Sequence, residues 1–175
     1  MYDRNLTDPG GFWADAAAGI DWTQPPNRVL DDVDAPLYRW FPDAQLNTCF
    51  NAVDRHVLAG RGEQPALIYD SPVTDTVTEL TYDDLLQQVS TFAGVLRRLG
   101  VGVGDRVVLY LPMVPQAVVA MLACARLGAV HSVVFGGFAP PELAARIDDA
   151  QPRVVLSASA GIEGTRVVPY KPLFD

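Results

Sequence analysis

The stretch that decides the fold is Asp105–Ile147, DRVVLYLPMVPQAVVAMLACARLGAVHSVVFGGFAPPELAARI. It carries almost no charge until its last third. Arg106–Leu111 and Val130–Phe135 are short segments rich in branched apolar residues, and such segments are the mark of strands buried on both faces of a parallel sheet. Between them, Gln116–Leu127 has the length and composition of a helix, with Pro115 at its first turn and Gly128 at its end. Phe135-Gly136-Gly137-Phe138 closes the second strand, and the carboxyl ends of the strands are where open α/β sheets bind ligands.

Working outward, Pro141–Ala150 continues as a helix and Val154–Ser157 as a third core strand. The β-α-β-α-β order implies right-handed crossovers and a parallel sheet. Three strands make a small sheet, and Val154–Ser157 is expected to leave an apolar edge unpaired. Toward the N-terminus, Thr81-Tyr82-Asp83-Asp84 resembles a capping box. It opens a helix with Leu85, Val89, Phe92, Leu96 and Leu99 on one face, stopped by Gly100. Ala66–Tyr69 and Val77–Leu80 read as a hairpin across Ser71-Pro72. Asn47 can cap a helix running to about Leu58, with Leu46, Phe50, Val53 and Val57 on its inner face. Residues 1–45 are broken by prolines and read as an irregular arm with one short helix near Phe12–Ala18, anchored by its aromatic rings. The fold class is therefore α/β, a parallel βαβαβ core with an irregular N-terminal arm. The arm and first helix are assigned to residues 1–60, and an incomplete α/β domain to 61–175.

Composition limits the functions available. The 175 residues are 49% hydrophobic and 19% charged, with a net charge of -8, which fits a folded globular chain. An acidic chain is a poor match for sequence-independent nucleic-acid binding, which needs Lys and Arg to neutralise phosphates. Residues 1–60 hold 9 acids and 4 bases, and residues 61–175 hold 12 and 9, so the acidity lies toward the front. Cys49 and Cys124 form neither a disulfide framework nor a metal site, and buried free thiols in a cytoplasmic setting are expected. MYDRNLTDPGGFW lacks the basic and apolar regions of a signal peptide. The apolar run from Ala117 to Ala139 contains Arg126, which costs about 2.5–3.5 kcal/mol at mid-membrane. His131, Gly136 and Gly137 weaken a membrane reading further, so no membrane association is expected.

Two glycine clusters invite comparison with phosphate loops. Gly100-Val101-Gly102-Val103-Gly104-Asp105 follows a helix and precedes a strand, which is the wrong context for a dinucleotide fingerprint. Gly136-Gly137 follows a strand and precedes a helix. Glycines there let backbone N–H groups approach a ligand, and the next helix N-terminus favours an anion; a plain tight turn is the alternative. His56 and His131, the latter in a buried strand, stand at no catalytic spacing and read as structural. Asp31, Asp32, Asp34, Asp148 and Asp149 read as acidic surface. No Gly-x-x-x-x-Gly-Lys loop is present. No catalytic residue and no metal ligand is assigned.

Three segments carry a family resemblance: Leu46–His56 (LNTCFNAVDRH), Gly104–Pro115 (GDRVVLYLPMVP) and Met121–Phe138 (MLACARLGAVHSVVFGGF). Together they resemble the N-terminal part of short-chain acyl-CoA synthetases, the acetyl-CoA and propionyl-CoA synthetase group of adenylate-forming ligases. The resemblance implies a two-step reaction. ATP and a short carboxylic acid give an acyl-adenylate and pyrophosphate; the CoA thiol then displaces AMP. ATP and CoA are implied as substrates, and Mg2+ for the full-length enzyme only. It further implies that Gly136 and Gly137 lie on the CoA path and that Arg166 contacts a CoA phosphate, a role suited to a guanidinium.

Acetyl-CoA synthetases usually carry a second arginine where this chain has Glu163, and Gly161–Glu163 with Tyr170–Leu173 looks more like the propionyl-CoA synthetases. The family's ATP phosphate loop, acyl pocket and catalytic lysine match nothing here, and Lys171 reads as a surface residue. The 175 residues are expected to be an N-terminal fragment that is inactive alone and completed by the remainder of its own chain. Two other readings stay open: a truncated CoA-binding or regulatory paralogue, and a structural remnant that dimerises through its open sheet edge.

Overall fold

The computed structural model describes residues 2–136 and 140–173, which divide into two compact units, Met1–Asn47 and Thr48–Asp175. In the first unit, two helices, α1 (Tyr2–Thr7) and α2 (Pro9–Ala17), precede four short strands: β1 (Trp22–Gln24), β2 (Leu30–Asp31), β3 (Arg39–Trp40) and β4 (Gln45–Leu46). β1 pairs with β4 and β2 with β3, both antiparallel. The arm is thus made of many short pieces, one helix more than the sequence suggests. Asp8 caps α2 by accepting a 2.9 Å hydrogen bond from the Gly11 amide. Rings stand in for a conventional core. Phe12 meets Trp13 at 5.2 Å, Trp13 meets Trp40 at 5.7 Å, and Phe41 joins Trp40 at 6.2 Å to Trp22 at 5.5 Å. Edge-on and tilted pairs of this kind hold a unit too small to bury many aliphatic side chains.

The second unit begins with a helical segment whose turns are widened to π-type at Phe50–Asp54 and Val57–Arg61. The widening shifts the buried stripe. Cys49 and Val53 are fully buried, whereas Phe50, expected on the inner face, is more than a third exposed. Leu46, also expected there, lies in β4 before the helix begins and is likewise more than a third exposed. The hairpin β5 (Pro65–Ser71) and β6 (Thr76–Thr81) follows as read. Thr81 and Asp84 then form the full capping box of α3 (Tyr82–Arg98), each side chain accepting from the other's backbone N–H. Leu85, Val89, Ala93 and Leu96 are buried along α3; Leu99, beyond its last turn, is 55% exposed.

The sheet contains β7 (Arg106–Leu111), β8 (Val130–Phe135) and β9 (Val154–Ser157), all parallel, in the order β8-β7-β9. α4 (Pro115–Leu127) and α5 (Pro140–Ala150) are the crossovers. β7 takes the centre because it is apolar on both faces. Val107 and Leu109 enter one core with Cys49, Val53, α3 and α4, while Val108 and Tyr110 enter another with Val134 and Leu143 of α5. Among the described residues β9 pairs only with β7 and is an edge strand, its residues partly covered; β8 is the other edge, where Val130 and Val133 are more than half exposed. His131 is likewise exposed, not buried, because its strand is an edge. Gly128 ends α4 at φ +69°, the left-handed cap that glycine adopts at least cost. An antiparallel hairpin, β10 (Ala160–Glu163) and β11 (Arg166–Pro169), completes the described fold.

Candidate functional site at the carboxyl end of the sheet

A sheet whose second strand lies on one side of the first and whose third lies on the other has a switch point between first and third, with a crevice beyond their carboxyl ends. Here that boundary is β7/β9, where Tyr110 pairs in register with Ser157. Tyr110 is the one polar-tipped residue in β7's buried run. A buried phenol needs a partner, and its hydroxyl donates a 2.9 Å hydrogen bond to the Gly136 carbonyl, pinning the turn that follows β8. Tyr170, just after β11 and only 2% exposed, lays its ring on Tyr110 at 4.7 Å between centroids. Its hydroxyl stands where a Cβ on Gly136 would be, and also where a Cβ on Gly161 would be. Both glycines are thus demanded by packing, whatever else the turn does.

Of the residues singled out from the sequence, Gly136 is buried at this junction. Gly137 lies outside the described residues. Arg166 is exposed at the far end of the β10–β11 hairpin, opposite Glu163 in register. The Gly164-Thr165 turn between them has Gly164 at φ +60°, the glycine-first order of a type II′ hairpin. Tyr170 stands four positions after Arg166, roughly 13 Å along a strand. A ligand touching both the Gly136 turn and Arg166 must be elongated.

The helix N-terminus is a poorer anion site than the sequence suggests. Pro140 and Pro141 open α5 without N–H groups, and Glu142 adds a negative charge to the first turn. Anion attraction in the described part of this end is therefore left to Arg166 and Lys171, both exposed. The 100–105 glycines form a helix-to-strand turn as read, with the Asp105 carboxylate accepting from the Gly102 amide at 2.8 Å. His56 lies 4.8 Å from the Tyr82 ring and 3.1 Å from the Arg61 guanidinium, a packing role. Among the described residues no group of three His, Cys, Asp or Glu side chains is placed to hold a metal ion. No helix among them is long and apolar enough to cross a membrane.

Sequence reasoning passed over the two tyrosines. Tyr110 gave a signal, a polar tip in an aliphatic strand; Tyr170 gave none, because its partners are set by the fold. It also passed over the Asp54–Arg126 ion pair at 2.6 Å, whose members lie 72 residues apart.

Both cysteines are buried and free. Burial pushes the Cys124 thiol up to about 11. The unfolded thiol ionises near pH 8.5, so the native state holds a proton that the unfolded state releases. Stability from this group is full below about pH 8.5 and is lost as pH rises toward 11. Alkylation by iodoacetamide at pH 8 is expected to leave native Cys124 unmodified over times that fully label the denatured chain, as mass spectrometry would show; equal labelling rates would contradict the burial.

The family model described as AMP-binding enzyme matches residues 54–171, and that described as acetyl-coenzyme A synthetase N-terminus matches residues 1–52. An uncharacterized protein of Pseudomonas aeruginosa is 58% identical over all 175 residues, which make up 28% of its length. Human acyl-CoA synthetase short-chain family member 3, mitochondrial, is 52% identical over 99% of this chain and 25% of its own. The propionate–CoA ligase of Escherichia coli is 47% identical over the whole chain and 28% of its own. The chain thus spans about a quarter of the length of these relatives. With a family model covering well over half its residues, the chain belongs to the AMP-binding enzyme family.

Proposed function

We propose that these residues form the CoA-facing front of an ATP-dependent short-chain acid–CoA ligase. In the reaction, a carboxylate oxygen attacks the α-phosphorus of ATP and pyrophosphate leaves. The CoA thiol then attacks the acyl carbonyl, loses its proton, and AMP leaves. Binding and orientation are the tasks assigned here, not bond-making. The Gly136 turn, with Gly137 beside it in sequence, flanks the CoA, and Arg166 pairs with one of its phosphates. The observation that carries the reading is the junction at the β7/β9 switch point, where the glycine turn and the Arg166 hairpin converge on one tyrosine pair. Similarity to a propionate–CoA ligase, and the Gly161–Leu173 sequence, favour propionate over acetate. The buried free thiols fit a reducing compartment such as the cytoplasm.

The test is acyl-CoA formation by the full-length chain with ATP, Mg2+, CoA and acids of two to five carbons. Propionyl-CoA formed in preference to acetyl-CoA is the expected product. The 175 residues alone, which hold no phosphate-loop motif, are expected to release no acid-dependent pyrophosphate. Acid-dependent release by the short chain would overturn the division of labour. A second reading, CoA binding without catalysis, has support in the fact that Gly136, Tyr170 and Arg166 all belong to this segment. Micromolar CoA binding by the 175 residues would favour it.

A further inference from the structure

We infer that Tyr170 is a positioning residue, the wedge that fixes the Gly136 turn relative to the β10–β11 hairpin and so sets the geometry between that turn and Arg166. The inference rests on the CoA reading above and adds to it a residue that touches no substrate. Three contacts carry it. Tyr170 is buried and stacks on Tyr110. Tyr110 holds the Gly136 carbonyl. The Tyr170 hydroxyl fills the space against the Cα faces of Gly136, in the turn, and Gly161, in the hairpin. A Cβ at either glycine would meet that hydroxyl and also the ring carbon bearing it, at 2.9 Å from position 136 and 2.7 Å from position 161, closer than real side chains approach. Neither glycine has a positive φ; φ therefore does not demand glycine at either position, and close approach is what does. The ring is further held by the backbone, since the Tyr170 amide donates to the Ser159 carbonyl at 3.0 Å. Val168 and Ala158 pack alongside in the same core. Tyr170 is therefore a stop between two segments 25 residues apart, and moving it moves both.

The full-length chain tests this by steady-state kinetics in CoA alongside acid-dependent ATP–pyrophosphate exchange, which precedes CoA. Tyr170→Leu is expected to raise KM for CoA about tenfold while the exchange rate holds, and Tyr170→Phe, which keeps the ring against both glycines but loses the hydroxyl, to raise it by a smaller factor. Gly136→Ala is expected to raise KM for CoA by a similar factor. Gly136→Ala with Tyr170→Leu is expected to be no worse than Gly136→Ala alone, because the shorter side chain clears the space. Gly161→Ala supplies an independent arm: it displaces the same hydroxyl from the hairpin side and is expected to raise KM for CoA without altering the turn's own sequence. Losses at 136 and 170 that multiply would overturn the inference, since the added methyl would then collide with ligand and not with Tyr170. An unchanged KM in Tyr170→Leu, with a raised KM in Arg166→Ala, would also overturn it and leave the CoA site standing. If neither Arg166→Ala nor Gly136→Ala moves KM for CoA, the site reading falls and the inference falls with it.

Discussion

Replacing Arg126 by alanine is expected to destabilise the second unit by about 3 kcal/mol, because it breaks a largely buried ion pair. The reason is where the charge sits. Arg126, in the last turn of α4, reaches Asp54 in the widened helical segment at 2.6 Å, and their side chains are only 26% and 19% exposed. The fully buried Cys49 thiol lies 3.9 Å from the same carboxylate. Burial alone would draw the guanidinium down, but its hydrogen bond to Asp54, with smaller contributions from Cys49, holds it above its ordinary value. Removing the cation leaves a carboxylate beside a core of Val53, Leu96 and α4 with much of its hydration already lost. Asp54→Ala is expected to cost a similar amount, and Asp54→Leu with Arg126→Met much less, because no uncompensated charge remains. The contrast is Arg4–Asp15 in the first unit, also 2.6 Å long but with side chains 51% and 68% exposed. Breaking that pair is expected to cost less than about 0.5 kcal/mol. Urea denaturation of the four variants checks the ranking; equal costs for the two pairs would contradict it.

The second large effect is functional. Arg166→Ala in the full-length ligase is expected to raise KM for CoA by one to two orders of magnitude. A hydrogen bond to a charged group contributes about 1.5–3 kcal/mol, and each 1.4 kcal/mol is a factor of ten. Arg166→Lys is expected to recover only part, because an ammonium keeps the charge but loses the forked donor geometry that suits a phosphate. The effect should shrink as salt rises, since the hairpin end is exposed and its charge is screened within about 10 Å at 0.1 M. Unchanged kinetics in CoA would remove Arg166 from the site.

The parallel core was legible because its cause is local. β7, β8 and β9 fall on the short segments richest in branched apolar residues. α3 starts at a capping box that two side chains build between themselves, and α4 stops at a glycine with positive φ. What escaped depends on partners distant in sequence. The widened turns at Phe50–Asp54 and Val57–Arg61 rotated a helix face that a regular period would have buried at Phe50, and Leu46 fell in a strand pairing with β1 instead of on the helix. His131 and Leu99 follow the apolar pattern but lie at an edge and past a cap. At the site, the glycine turn could be read from its place after a strand. The reason Gly136 must be glycine could not, because the hydroxyl that excludes a Cβ arrives from Tyr170, on another hairpin. The helix dipole argument for α5 lost its force on a detail visible in the sequence: two prolines and a glutamate occupy the turn that would have bound the anion.

The most direct measurement is hydrogen exchange of the full-length chain with and without CoA, in the presence of AMP and propionate. Slowed exchange at the amides following β8 and in the β10–β11 hairpin, lost in Arg166→Ala, is the result expected of a CoA path along this end of the sheet. Protection confined to other parts of the chain, with the Gly136 turn and the hairpin unchanged, would contradict it.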